Sequence, residues 1–511
     1  MRRPWRIAAA AVFVAALVAS GLFGDRVLAL NDAARERLRL FTELVAAAHD
    51  HYAAPVAYEE VVNASIQGMI RTLDPHTAFL TADAYDSMRD KQESTFSGLG
   101  ILVGIRDGKL TVITPLEGTP ASRMGIRAGD VISTIEGEPT ETLSIDEAVR
   151  RLKGPKGTSV SIEVARRGLP DLLEIEIVRE EIPQTSVRYA YMLTPEVGYI
   201  SLTDFNRGTG QEMERTLERL RGQGMKRLLL DLRANGGGLL DQAIAVSNLF
   251  VPPGAKIVET RGRTRESFQD FHAAAGRQAP RVPLVVLVGD GTASAAEILA
   301  GAIQDHDLGV VVGTPTWGKG LVQTVYALGY GNGLSVTTAK YYTPSGRLIQ
   351  RDFSDWFHYQ YDERAPATPA ANEQEAFYTD LGRKVYGGGG INPDVTADPE
   401  ELAPVLQYLL AHNAFFNFAV EETNRQPLPD AAWRPDDAVF ERFRQWVLAQ
   451  ELIEADELEA GLAEVESRSA ARRYLAAEFL GAQFGLEARH QVLVTADNQV
   501  ETALAQFEVA A

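Results

Sequence analysis

The sequence contains no cysteine, which excludes disulfides, thiolate zinc sites, a cysteine nucleophile and the lipid anchor of bacterial lipoproteins. Histidine is scarce, with eight scattered residues, and none falls in the H-E-x-x-H spacing of a zinc helix. The G-x-S-x-G elbow of the common serine hydrolases is also missing. Basic residues are in deficit: 50 Lys and Arg face 69 Asp and Glu, for a net charge of −19. So acidic a surface repels phosphate backbones, and nucleic acid is not an expected partner. Nor does the chain have the low hydrophobicity of a disordered protein, since 45% of it is hydrophobic and 23% charged. At about 100 to 200 residues per domain, 511 residues make three or four units around sizeable cores.

One apolar run stands apart. Arg2, Arg3 and Arg6 precede an apolar or small stretch from Ile7 to Phe23, the length of a signal-peptide core or a short membrane span. Ala19-Ser20-Gly21 fits a cleavage site only in part, so removal and retention as an anchor both stay open. In either case the basic flank stays inside and the body is exported, to the periplasm or cell envelope. Residues 1–30 are therefore a signal peptide or membrane anchor, through which the membrane is a partner.

The rest divides by pattern. Residues 31–92 carry helical periodicity (Leu38, Phe41, Leu44, Val45; then Val62, Ile66, Met69, Ile70) and predict a small helical domain. Residues 95–182 consist of short β-branched runs between glycine turns, such as 101–104, 110–113, 131–135, 160–164 and 173–178, and predict a β-rich module. In residues 188–398 apolar runs (227–232, 283–288, 310–313) alternate with helical stretches (212–221, 240–250, 293–304), as in an α/β core. Residues 400–511 read as a helical extension broken at Gln426-Pro427-Leu428-Pro429, suited to dimerisation, regulation or plain packing.

The β-rich module opens on Ser97-Gly98-Leu99-Gly100-Ile101. In such a loop successive N–H groups can converge on a peptide carboxylate. It is followed by Ala121-Ser-Arg-Met-Gly125-Ile-Arg-Ala-Gly129-Asp130-Val-Ile132, which resembles the PDZ domains of bacterial proteases. That resemblance implies a substrate tail added beside the strand after Gly100, its carboxylate held by the amides of Gly98, Leu99, Gly100 and Ile101.

In the core, a predicted strand runs into Gly289-Asp-Gly-Thr-Ala-Ser294-Ala295-Ala-Glu297, so Ser294 lies where a glycine-rich turn becomes a helix. A serine there can be a simple helix cap. It can equally be a nucleophile beside the free N–H groups of a helix N-terminus, Ala295 among them. Lys319, 25 residues on in Thr316-Trp-Gly-Lys319-Gly, is a candidate for the partial burial that turns a lysine into a neutral base. The spelling Gly313-x-x-x-x-Gly318-Lys319 imitates a phosphate loop, but Gly320 stands where magnesium needs Ser or Thr and Pro315 removes a donor. A third element, Asp231-Leu-Arg-Ala-Asn-Gly236-Gly237-Gly238, ends another strand and can supply a second oxyanion donor, from Gly236 or Gly237. A Ser/His/Asp triad through His306 is a weaker reading of the same region.

Taken with Leu73-Asp-Pro-His-Thr-Ala-Phe-Leu80, Lys153-Gly-Pro-Lys-Gly-Thr158, Tyr342-Thr-Pro-Ser-Gly-Arg347 and Gly389-Gly-Ile-Asn-Pro-Asp394, these segments resemble the C-terminal processing peptidases, or tail-specific proteases, over roughly residues 35–398. The resemblance implies a multidomain α+β protein: a crotonase/ClpP-like α/β protease core, an inserted PDZ domain, and helical N- and C-terminal regions. It implies an exported serine endopeptidase with a Ser/Lys dyad and no metal or organic cofactor. Ser294 would be the nucleophile, Lys319 the general base and Gln323 the residue that orients the lysine. Asp305, eleven positions after the serine, is an auxiliary candidate because some members use an acidic residue there. Expected partners are proteins with accessible C-terminal tails, with a regulatory adaptor or a second copy of the chain as further candidates. The competing reading is a catalytically silent PDZ scaffold that only holds such tails. Ala296, where many members have a further serine, and Ala234 in the glycine motif remove no atom this chemistry needs.

Overall fold

The computed structural model describes residues 32–276, 278–354, 359 and 375–508; the apolar run from Ile7 to Phe23 lies outside them. No helix among the described residues is long and apolar enough to cross a membrane. The chain divides into two compact units, one made of residues up to Thr81 together with Val325–Val336, the other of the remainder.

In the first unit, helices α1 (Asp32–His51) and α2 (Tyr58–Ile70) precede the short strand β1 (Ala78–Leu80). The Leu73–Leu80 motif makes the turn between them. Asp74 Oδ1 accepts the N–H groups of His76 and Thr77, both at 2.8 Å, while its Oδ2 accepts the Thr77 hydroxyl at 2.6 Å. Such a side-chain-closed turn commits the chain to extended backbone just after it. β1 then pairs antiparallel with residues 333–335.

The second unit starts with α3 (Ala82–Gln92) and β2 (Thr95–Gly98). The β-rich module follows as β3 (Ile101–Arg106), β4 (Lys109–Pro115), α4 (Pro120–Arg123), β5 (Val131–Ile135), β6 (Glu138–Pro139), α5 (Ile145–Leu152), β7 (Ser159–Ala165) and β8 (Leu173–Val178), and β9 (Glu180–Pro183) returns to pair with β2. Its sheet has the order β3-β4-β5-β7-β8, with β6 on β5, so β3 is an edge strand. Alternate side chains of β7, Val160, Ile162 and Val164, are fully buried with Val112, Ile132 and Ile177, which is the period-two pattern of a half-covered sheet. The Gly-Asp pair of the motif is structural: buried Asp130 receives Arg166 through both carboxylate oxygens at 2.7 Å and the Arg127 N–H at 2.8 Å.

Beyond it come β10 (Val187–Met192), β11 (Val197–Leu202), α6 (Thr209–Gly222), β12 (Arg227–Asp231), α7 (Leu240–Ser247), β13 (Lys256–Gly262), β14 (Gln269–His272), β15 (Leu284–Val288), α8 (Ala295–Asp305), β16 (Val310–Gly313), β17 (Leu321–Ala327), β18 (Gly333–Tyr342), β19 (Ala376–Tyr378), β20 (Lys384–Tyr386) and β21 (Val395–Thr396). The central sheet has the order β10-β11-β12-β15-β16-β21, parallel except for β10. Its strands are apolar on both faces, as a parallel sheet requires when both are covered. Leu228, Leu230, Val286 and Val288 pack with α6, α7 and α8. The intervening residues Leu229, Val285 and Leu287 face the other way, onto Val494, Val500, Ala503 and Phe507 of the C-terminal extension.

That extension comprises α9 (Pro404–Ala411), α10 (Ala414–Arg425), α11 (Asp437–Ala449), α12 (Ala455–Gly461), α13 (Val465–Phe484), α14 (Leu486–Thr495) and α15 (Asn498–Ala505). The break at Gln426–Pro429 separates α10 from α11, where proline cannot continue a helix. The extension has a core of its own around Phe415, Phe418, Phe443, Leu475 and Phe479. Its last helices serve as the second cover of the central sheet.

Where α14 meets that sheet, His490 stacks on Tyr189 at 4.0 Å and its Nδ1 lies 3.1 Å from the Tyr191 hydroxyl. Burial pushes its imidazole down to about 4, against the pull of Asp231. The folded state therefore holds His490 neutral at pH values where the unfolded chain, titrating near 6.5, has already bound a proton. Below pH 6.5 this imbalance removes up to about 1.4 kcal/mol of stability per pH unit until the folded imidazole itself titrates. In urea unfolding at pH 7.5 and pH 5.0, the wild type should lose at least about 1 kcal/mol more than His490→Gln; equal losses would show that this histidine does not set the acid limit.

Candidate active site

β15 carries the chain into the site, and Gly289–Ala293 turn it toward α8. Ser294 is the N-cap of α8, with φ 56° and ψ −115°. An N-cap ordinarily has extended backbone, and a left-handed serine costs about 1–3 kcal/mol that its surroundings must offset. Those surroundings are dense. Ala293 N–H donates to Asn235 O at 2.9 Å, the Thr292 hydroxyl to Leu232 O at 2.8 Å, Trp317 N–H to Thr292 O at 2.9 Å and the buried Tyr341 hydroxyl to Ser294 O at 2.9 Å.

The central tie is Glu297, one turn into α8 and fully buried. Its Oε2 accepts the backbone N–H of Ser294 at 2.7 Å and that of Lys319 at 2.9 Å. Its Oε1 accepts the Gly318 N–H at 2.8 Å and the Thr316 hydroxyl at 2.5 Å. One carboxylate oxygen thus joins the main chain of the two residues singled out for chemistry. Burial pushes the Glu297 carboxyl above its usual range, opposed by the Thr316 hydroxyl and the three N–H donors, which favour the charged form. Ser294-x-x-Glu297 is the spelling of a capping box, so this residue was open to discovery in the sequence although the motif reading passed over it.

The glycine segment after β12 lies directly against the serine. Gly237 has φ 100°, and a Cβ there would stand 2.8 Å from both Ala293 O and Ser294 Cβ and 3.0 Å from Ala295 N. Only glycine allows that approach. Gly237 N–H is already given to Asn235 Oδ1 at 2.9 Å, whereas the N–H groups of Gly236 and Ala295 have no acceptor among the described residues. Asn235, fully buried, fixes the segment further by donating from Nδ2 to Leu202 O at 2.9 Å.

The other predicted residues fall in two places. Lys319 is half-buried in the loop before β17, and Gln323 lies in that strand, where its Nε2 donates to Thr337 Oγ1 at 3.4 Å. Asp305 and His306 lie at the opposite end of α8. An 11-residue helix is about 16 Å long, so neither is brought to Ser294. Asp305 accepts the buried Arg347 at 2.6 Å and the Ser345 N–H at 3.0 Å, and His306 bridges Asp380 and Lys256 O. Both are structural anchors there. The phosphate-loop imitation also resolves: Gly313 ends β16, and a loop to β17 follows where a nucleotide site needs a helix.

In the β-rich module, Gly100 has φ 75°, and a Cβ on it would meet Thr119 at 2.3 Å. The carbonyls of the loop turn inward, Leu99 O accepting Ala121 N–H at 3.1 Å and Gly100 O accepting Leu116 N–H at 2.8 Å. The N–H groups of Leu99 and Gly100 have no acceptor among the described residues. Gly98 ends β2, opposite Glu180 of β9, and Ile101 begins the edge strand β3.

A family model of the PDZ domain matches residues 111–166, and that of peptidase family S41 matches residues 196–353. The chain is 39% identical over 296 residues to the carboxy-terminal-processing protease of Bartonella bacilliformis, covering 57% of this chain and 68% of that protein. It is 40% identical over 307 residues to the carboxyl-terminal-processing protease of Synechocystis sp., covering 58% and 70%. To the carboxy-terminal processing protease CtpA of Bacillus subtilis it is 32% identical over 333 residues, covering 65% and 70%. This chain therefore belongs to peptidase family S41 and is a serine-type peptidase that carries a PDZ domain.

Proposed function

We propose that this chain is an exported endopeptidase that takes the C-terminal tail of a protein in its PDZ domain and hydrolyses peptide bonds with a Ser294/Lys319 dyad. The observation that carries the reading is the shared Glu297 oxygen, which ties both residues together through their main chain next to the Gly236–Gly237 segment.

The chemistry follows from the atoms. Lys319, as the neutral amine oriented by Gln323, takes the proton of the Ser294 hydroxyl as Oγ attacks the peptide carbonyl. The carbonyl oxygen gains the charge and is met by the Ala295 N–H and the Gly236 N–H, neither of which has an acceptor among the described residues, while the Gly237 N–H is committed to Asn235. The C–N bond then breaks, and the Lys319 ammonium gives its proton to the leaving amine. Water, deprotonated by the same amine, attacks the ester, and the returning proton restores Ser294. A tail lying along the edge strand β3 would add main-chain hydrogen bonds there and place its carboxylate on the N–H groups of Leu99 and Gly100. The Arg-flanked apolar segment from Ile7 to Phe23 supports export and a membrane connection.

Cleavage of an unfolded reporter with a free apolar C-terminus tests this. Ser294→Ala and Lys319→Ala should each lower kcat by about 10³-fold or more, and amidating the reporter's C-terminus should slow the wild type through KM. Tail binding by a wild type as silent as both variants would instead point to a scaffold or to a protease that awaits an activating partner. Gly237→Ala should fold and bind the tail yet lose about 10²-fold or more in kcat, because its Cβ has room only if the oxyanion segment moves off Ser294. Unchanged kcat in that variant would remove the segment from the mechanism.

A further inference from the structure

The end of β12 is held from two sides. Buried Asp231 accepts the Tyr199 hydroxyl at 2.7 Å and takes one edge of the Arg233 guanidinium, Nη2 at 2.7 Å and Nε at 3.1 and 3.2 Å. The remaining arm of Arg233 goes to the C-terminal extension: Nη1 donates to Asp497 Oδ2 and to Gln499 Oε1, both at 2.7 Å. These acceptors are themselves fixed. Asp497 Oδ1 caps α15 by accepting the N–H groups of Gln499 and Val500, and Gln499 Nε2 donates to Ala397 O at 2.7 Å.

Arg233 is also the residue from which the oxyanion segment departs. Its carbonyl presses on the turn before the nucleophile, where a Cβ on Gly291 would lie 2.5 Å from Arg233 O. Two residues on, Asn235 O accepts the Ala293 N–H, and Gly237 lies so close to Ser294 that a Cβ on it would stand 2.8 Å from the serine Cβ. A planar guanidinium with every arm matched has one orientation, and so does the backbone that bears it. Asp231 alone satisfies only one edge; the extension satisfies the other.

We propose that Asp497 and Gln499 are positioning residues of the hydrolytic site, which by completing the hydrogen bonds of Arg233 hold the 233–238 segment, and with it the Gly236 N–H, against Ser294. The proposal rests on the dyad reading for its catalytic consequence but not for the clamp itself. It gives the extension, more than 260 residues from β12 in sequence, a direct part in organising the site.

The test uses the full chain with Asp497→Ser and Gln499→Leu combined. Serine keeps the cap of α15 while removing the acceptor for Arg233. The expected result is a kcat lower by about 10- to 100-fold with KM for the reporter unchanged. Amide exchange across 233–238 should rise about fivefold or more while the extension's own core stays protected. Gln499→Glu, which retains the acceptor for Arg233 although it gives up the donor to Ala397 O as Gln499→Leu does, should be faster than Gln499→Leu and slower than the wild type. In an Arg233→Ala background the Asp497→Ser change should cost nothing further, since its effect runs through Arg233. Unchanged exchange in 233–238, or a loss that multiplies with that of Arg233→Ala, overturns the proposal. Should the wild type hydrolyse no reporter, the exchange measurement alone still decides the clamp.

Discussion

A buried carboxylate with four donors organises this protein's site. Taking Glu297 out of water costs several kcal/mol, and the left-handed Ser294 adds about 1–3 more. Hydrogen bonds to a charged acceptor return roughly 1.5–3 kcal/mol each, and Glu297 receives them from Ser294, Thr316, Gly318 and Lys319. Because three of the four donors are main-chain N–H groups, the bonds act on the chain path itself. The turn after β15 and the loop after β16 cannot separate without stranding that carboxylate in an apolar interior. Side chains at 294 and 319 can then be small or mobile without the site losing its shape.

The central sheet imposes the second constraint. Its parallel strands are apolar on both faces, so helices α6, α7 and α8 account for only half of the burial. Leu229, Val285, Leu287 and Val312 would face water were it not for α15 and the residues just before and after it. The extension is thus required by the sequence of the strands themselves, and the Arg233 clamp sits at the same seam.

Much of this was legible in the sequence. The β-rich module followed from short β-branched runs between glycine turns, and Val131–Ile135 and Leu173–Val178 begin and end where the pattern put them. The glycine-rich turn, the serine at its end and the lysine 25 residues later were visible as a constellation. What escaped had a physical reason in each case. His306 stands out because it is near Ser294 in number, and Asp305 because the family resemblance offers an acidic residue there, yet a helix carries both away at 1.5 Å per residue. Glu297 was marked only by a capping-box spelling, which signals a helix start and not the ties to Thr316, Gly318 and Lys319. Asp497 and Gln499 carry no local signal for this role, since their partner lies just past the end of β12, far away in sequence, and only the tertiary fold joins them. The apolar run of β15 indicated a strand buried on both faces, but crossover helices can supply both covers, so only the fold shows that the C-terminal extension supplies the second.

The extension fastens to the PDZ domain by different means. Arg167 meets Glu421 at 3.3 Å, Asn417 donates to Asp107 at 3.1 Å, and Arg106 reaches Asn413 and lies over the Phe416 ring. Ion pairs and hydrogen bonds at a solvated boundary are worth about 0–1 kcal/mol each, because water replaces them readily. Val420 packs over Gly129, where a Cβ would meet it at 2.4 Å, and a cavity of about 730 Å³ lies alongside, between Leu116, Ile126 and Ala128 on one side and Pro427, Phe484 and Leu486 on the other. At the sheet, apolar side chains interlock and every exposed methylene would cost about 0.8 kcal/mol. The same helical extension is therefore part of the protease core at one end and a replaceable polar contact at the other. Of the two joints in the second unit, energetics make the PDZ side the easier to open and the Arg233 seam the one that stays closed.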